Sequence, residues 1–145
     1  MGIEYHINKL KNKENFECYG PLSEKYIKDM EMALNISFPE QYREFLSKCG
    51  YAVWFGGAIF GYSEDEDYHT VNWTIEIREN KLPANFTEAP LEGCVLESYA
   101  GGGYYFLFAQ GSARTGEVVL YLDELFGKEV KSWPSFSDFI EYISV

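Results

Sequence analysis

The stretch from Met32 to Gly50, MALNISFPEQYREFLSKCG, limits what this chain can fold into more than any other. It reads as the end of one helix, a short connector, and a second helix opened by proline and closed by glycine. Pro39 suits the first helical position, because the amide hydrogen it lacks would be unpaired there anyway. Tyr42, Phe45, Leu46 and Cys49 fall at i, i+3, i+4 and i+7, one apolar face of a helix over residues 39–49. Gly50 can take the left-handed conformation that closes such a helix.

Around this unit the chain divides into helical and extended regions. Ile3, Ile7 and Leu10 have helical spacing, which predicts a short helix over residues 3–11. Ser23 is placed to cap a helix over residues 24–34, Glu24 suits its positive end, and Tyr26, Met30, Ala33 and Leu34 form its apolar face. Val53-Trp54-Phe55 and Ala58-Ile59-Phe60 are β-prone runs separated by Gly56-Gly57, a hairpin signal. Ser63-Glu64-Asp65-Glu66-Asp67 reads as a polar, acidic loop. Residues 70–80 fit two readings: Val71, Trp73, Ile75 and Ile77 alternate with polar residues as in a strand, while Val71, Ile75 and Arg78 fit a helix capped by Thr70.

Strands are predicted over residues 94–98, 104–109 and 117–122. The continuous apolar run of the second indicates a central strand covered on both faces. A charged fourth, residues 128–133, suits a sheet edge. Ser135, with Asp138 three residues on, caps a last helix whose core face is Phe136, Phe139, Ile140 and Ile143. Helices first, strands in the middle and a helix last indicate an α+β fold: an antiparallel β-sheet of five to six strands flanked by N-terminal helices and a C-terminal helix, in one domain of 145 residues.

Composition narrows the function. The formal charge of −11 disfavours nucleic acid, whose phosphates need clustered Lys and Arg, and anionic membranes for the same reason. It favours steering toward a basic partner, although net charge also simply keeps a protein in solution. No apolar run approaches the roughly 20 residues that span a bilayer, and the N-terminus lacks a basic region and an apolar signal core, so a cytoplasmic location is expected. Cys18, Cys49 and Cys94 are odd in number and widely spaced, which argues for small buried or half-buried thiols and against a disulfide framework or a zinc site.

No catalytic constellation, metal site or cofactor site emerges. Gly101-Gly102-Gly103 precedes a strand rather than a helix, with no lysine near, so it marks a close approach to the sheet and not a phosphate cradle. Glu64 to Asp67 lacks the spacing of a calcium loop. His6 and His69 stand in no nucleophile motif, and Asp123-Glu124 carries no weight in so acidic a chain. The residues best suited to meet a protein partner are Trp54, Phe55, Tyr62, Glu64, Asp65, Glu66, Asp67 and Tyr68, which combine charge with aromatic anchors. Core packing is the competing role for the aromatic ones.

Three segments in order resemble the SUKH superfamily, the Smi/Knr-type homology domain. They are the Leu34 to Gly50 unit, Gly57-Ala58-Ile59-Phe60-Gly61 closing on a glycine, and Gly101-Gly102-Gly103-Tyr104-Tyr105-Phe106 through Gly116-Glu117-Val118-Val119-Leu120-Tyr121 to Ser135-Phe136-Ser137-Asp138-Phe139-Ile140. The resemblance implies a helix over residues 70–80, ending near Leu82-Pro83. It also implies a non-enzymatic bacterial immunity protein that binds and neutralises a cognate toxin, a basic nuclease being the natural electrostatic partner. Eukaryotic members act instead as regulatory scaffolds in cell-wall signalling, which is the alternative reading for this chain; a small-ligand-binding domain or enzyme is a third.

Overall fold

The computed structural model describes residues 2–79, 90–99, 102–122 and 128–145. Leu82-Pro83, Gly101 and Asp123-Glu124 lie outside the described residues. In chain order the elements are α1 (Ile3–Leu10), β1 (Glu17–Cys18), α2 (Glu24–Leu34), α3 (Glu40–Cys49), β2 (Ala52–Trp54), β3 (Gly57–Ile59), a 3-10 turn (Glu66–Tyr68), α4 (Thr70–Arg78), β4 (Gly93–Tyr99), β5 (Gly103–Phe108), β6 (Val118–Leu122), β7 (Lys128–Trp133) and α5 (Phe136–Ile143). This is the expected α+β class. The strands form two sheets, β1-β2-β3 and β4-β5-β6-β7, with every paired strand antiparallel. The Phe60 N–H donates to the Leu96 carbonyl at 2.7 Å, so the chain leaving β3 bonds to β4 of the larger sheet.

The larger sheet is covered on both sides. Cys94, Leu96, Leu107, Val118 and Leu120 share a core with Ile7, Leu34, Phe45, Leu46, Phe136, Phe139 and Ile140 of the helices. On the other face, Val95, Tyr104, Phe106, Phe108 and Val119 pack with Ala58, Phe60 and Ile77. Both faces of β5 are therefore buried, as its unbroken apolar run requires.

The Leu34 to Gly50 unit sits at the centre of the first core. Tyr42, Phe45, Leu46 and Cys49 are buried in a row along α3. Pro39 stands one residue earlier than expected, at the N-cap, where its carbonyl accepts from the Tyr42 and Arg43 amides at 3.1 and 3.0 Å. The buried Tyr42 hydroxyl donates to the Phe60 carbonyl at 2.7 Å, tying α3 to the end of β3. Gly50 takes a positive φ of 70°. Its carbonyl lies so close to Gly61 that a Cβ there would be 1.8 Å from the oxygen, so only glycine fits. Arg43 reaches back to α2, with ion pairs to Glu24 at 2.7 Å and Glu31 at 2.9 Å.

α4 forms where local alternation favours a strand, as the family resemblance implied. The reason is that two of its polar residues face inward beside Val71 and Ile77. Thr70 and Thr74, one helical turn apart, are both buried. The Thr70 hydroxyl donates to the Val95 carbonyl. Thr74 Oγ1 accepts from the Val95 amide at 2.9 Å and donates to the Thr70 carbonyl at 2.7 Å. Two threonines thus satisfy the outward-facing amide and carbonyl of Val95 in the edge strand β4, which another strand would otherwise do. At the far end, Arg78 donates to the carbonyls of Leu34, Leu91 and Gly93 at 3.0, 2.7 and 3.1 Å. The cap is His69, whose Nδ1 accepts from the Val71 amide at 3.2 Å, not Thr70.

Other expectations need correction. The buried face of α2 is Ile27, Met30 and Leu34. Tyr26 is 43% exposed and Ala33 is exposed as well, because the helix is turned so that the wholly apolar Ile27 faces inward and the tyrosine lies at the rim. Ser23 is at the N-cap of α2, but its hydroxyl makes no capping bond. The hairpin turn is Phe55-Gly56, since Gly57 already pairs with Trp54. Cys18 and Cys49 are joined in a disulfide, and only Cys94 is a free, buried thiol among the described residues. The two cysteines are 31 residues apart and meet because the chain after β1 runs beside the end of α3, with the Tyr19 amide on the Cys49 carbonyl at 2.9 Å. At α5, Ser135 caps as expected, its Oγ accepting from the Asp138 amide at 3.2 Å.

Candidate functional site

The acidic loop is held by its own polar atoms. Ser63 is buried and its Oγ accepts from the Asp65 amide at 2.9 Å. Asp65 Oδ1 accepts from the Asp67 amide at 3.0 Å, which starts the 3-10 turn. The loop is closed at its base by Gly61 N–H on the Tyr68 carbonyl at 3.1 Å and Thr70 N–H on the Gly61 carbonyl at 2.9 Å. The Trp73 indole donates to the Asp67 carbonyl at 2.9 Å. Glu64, Asp65, Glu66 and Asp67 are all exposed. Four carboxylates are thereby presented on a fixed backbone.

Tyrosines stand on both sides of this loop. Tyr68 stacks on Tyr51 with ring centroids 5.8 Å apart, and Tyr51 stacks on Tyr19 at 4.3 Å. Tyr62 contacts Tyr26 at 4.9 Å and the His69 ring at 5.2 Å. The Tyr19 hydroxyl donates to Glu17, and this bond to a carboxylate pushes its pKa up to about 12. His69 is held below its usual range by burial, against the opposing pull of Glu66. A shallow cleft of about 280 Å³ lies between Tyr26, Asp29, Tyr62, His69 and Asn72. Rings with few rotatable bonds beside exposed carboxylates can anchor and steer a cationic protein surface.

Trp54 and Phe55 lie apart from this surface, at the β2–β3 turn. Phe55 is 74% exposed and Trp54 is half-buried against Phe16, with ring centroids 6.3 Å apart. Both line a second cleft of about 370 Å³ together with Gly57, Glu97, Tyr99 and Tyr105. Tyr51 precedes β2 and Trp54 ends it, so these two residues stand roughly 10 Å apart along the strand.

The eight residues expected from the sequence thus fall into two groups. Tyr62 and Glu64 to Tyr68 lie along one closed loop, with Tyr62 lining the smaller cleft and Tyr68 stacked on Tyr51 at the other side; Trp54 and Phe55 line the second cleft. Tyr19, Tyr26, Tyr51 and Glu97 join these surfaces without having been expected there. Of these, Glu97 alone has a visible signal: a single acid following the apolar run Cys94-Val95-Leu96. Among the described residues, no three His, Cys, Asp or Glu side chains converge as metal ligands would, and no helix is long and apolar enough to cross a membrane.

Two antiparallel sheets, with helices at both ends of the chain and α3 at the centre of the core, define an α+β module whose most distinctive surface is acidic and tyrosine-rich. The family SUKH_5, described as SMI1-KNR4 cell-wall, matches residues 3–144, and the chain belongs to it. That family is associated with immunity proteins against polymorphic toxins and is generally non-catalytic. No curated protein matches the chain.

Proposed function

We propose that this protein is an immunity protein that neutralises a cognate toxin by binding it, with no chemistry of its own. The observation that carries this reading is the fixed acidic loop flanked by tyrosines, on a SUKH-family chain of net charge −11. A basic toxin domain, such as a nuclease, is the complementary partner. Exposed carboxylates accelerate the encounter, and the tyrosines at either side slow dissociation. Occlusion of the toxin's active site then needs only complementary shape.

Co-expression with the toxin encoded beside it tests the reading directly. Growth should be rescued, and the two should co-elute on a sizing column; failure of both for the adjacent toxin rejects the reading for that pair. Reversing the charges of Glu64, Asp65, Glu66 and Asp67 together should slow association by about tenfold or more at low salt and much less at high salt. An unchanged association rate removes this loop from the interface.

A further inference from the structure

The cleft at the β2–β3 turn has what the acidic loop lacks: a mostly buried carboxylate among aromatic rings, with no cation paired to it among the described residues. Its placement comes from a bulge in β4. Val95 pairs with Phe106 and Glu97 pairs with Tyr105, so Leu96 is an extra residue in the ladder. An uninterrupted strand would turn Glu97 to the face of Val95. With the bulge it lies on the face of Tyr105 and lines the cleft.

One carboxylate oxygen of Glu97 accepts from the Ala58 amide at 3.1 Å. Lys13, at the rim of the cleft, donates instead to the Val145 carbonyl at 3.1 Å. The walls are aromatic and set in place. The Trp54 indole lies so tightly over Gly57 that a Cβ there would be 2.5 Å from its Nε1, and Tyr99 meets Tyr105 edge to face at 5.9 Å. Phe55 stands exposed at the opening. Burial without a counter-charge pushes the Glu97 carboxyl up to about 8.

We propose that this cleft is a socket for one cationic side chain, arginine or lysine, of a protein partner, with its charge on Glu97 and its stem against Trp54, Phe55 and Tyr105. A guanidinium or ammonium entering there gains a charge-assisted bond in a low-dielectric site and contact with ring faces. It also relieves the uncompensated burial of Glu97. The proposal rests on the reading of the protein as a binder of a basic protein, and it gives that partner a specific anchor beyond diffuse attraction.

The test needs no toxin. Capped tripeptides Gly-Arg-Gly, Gly-Lys-Gly and Gly-citrulline-Gly are titrated into the whole protein at pH 8, with the aromatic resonances followed by NMR. The two cationic peptides should shift Trp54 and Tyr105 saturably, and the neutral citrulline peptide should bind at least about tenfold more weakly. Glu97→Gln should cost at least about tenfold in binding of the cationic peptides. Phe55→Ala, at an exposed position that leaves the fold intact, should weaken them a few-fold. Equal binding of citrulline and arginine peptides, no saturable shift at Trp54 and Tyr105, or binding untouched by both substitutions overturns the proposal. Any of these results leaves the co-expression experiment standing, and failed rescue by co-expression leaves the socket standing, so the two readings fail separately.

Discussion

Glu97→Gln should make the protein more stable as pH rises, with little effect in mild acid. The carboxyl has an ordinary value near 4.5 and is pushed up to about 8 in the folded protein, mainly by burial and despite the Ala58 amide, which favours the charged form. The folded state therefore holds a proton that the unfolded chain releases above about pH 4.5. Favourable below that pH, this difference is lost as pH rises through the folded value, so Glu97 lowers stability progressively between about pH 5 and pH 8. Over that window the loss is on the order of 3 kcal/mol. Glutamine keeps the oxygen that accepts from Ala58 and removes the titration.

Urea unfolding of the native protein and of the Glu97→Gln variant at several pH values from about 5 to 8 measures this as a difference, in which titrations common to both cancel. Facing the same cleft are Lys13, Tyr99 and Tyr105; the Tyr105 hydroxyl is itself pushed up to about 12, by burial first and by Glu97 second. The stability gap should open steadily in favour of the variant as pH rises. A gap constant across the range refutes the claim that Glu97 is desolvated without a counter-charge. A gap that opens the other way means that a cation of the chain itself occupies the socket.

Two further outcomes follow from the core. Tyr42→Phe removes a buried hydroxyl from the Phe60 carbonyl and should destabilise the protein by about 1–3 kcal/mol in chemical denaturation, whereas a loss within error means the carbonyl finds another donor. Reducing the Cys18–Cys49 bridge, which closes a loop of 31 residues, should lower stability by about 3–4 kcal/mol, read as a drop in Tm with added reductant; an unchanged Tm means the bridge contributes nothing in solution.

The legible parts of this protein are those where one period or one stereochemical demand speaks alone. The i, i+3, i+4, i+7 row of Tyr42, Phe45, Leu46 and Cys49 has a single helical reading, and the row is buried as expected. The apolar run Tyr104 to Phe108 has a single strand reading. α4 is legible only through the resemblance. Its buried face includes Thr70 and Thr74, and hydroxyls that bond to a strand edge leave no trace in an apolar pattern. The face of α2 is easily misread because tyrosine is amphipathic: Tyr26 looks apolar in a helical pattern yet sits at the rim against Tyr62.

Of the candidate site, charge and aromatic content around Trp54 to Tyr68 are readable from the chain, but their grouping is not. The sequence alone determined the α+β class, the helices α1, α3 and α5, the strands of the larger sheet and an acidic composition, because each rests on local periodicity, backbone stereochemistry or simple counting. Only the tertiary structure decided that Tyr19 and Tyr51 stack in line with Tyr68, that Cys18 meets Cys49, and that a bulge turns Glu97 into an aromatic cleft. Those arrangements depend on which strand lies beside which and in what register. A register is set by the packing of the whole core, and a single extra residue in β4 is enough to move a carboxylate from one face of a sheet to the other.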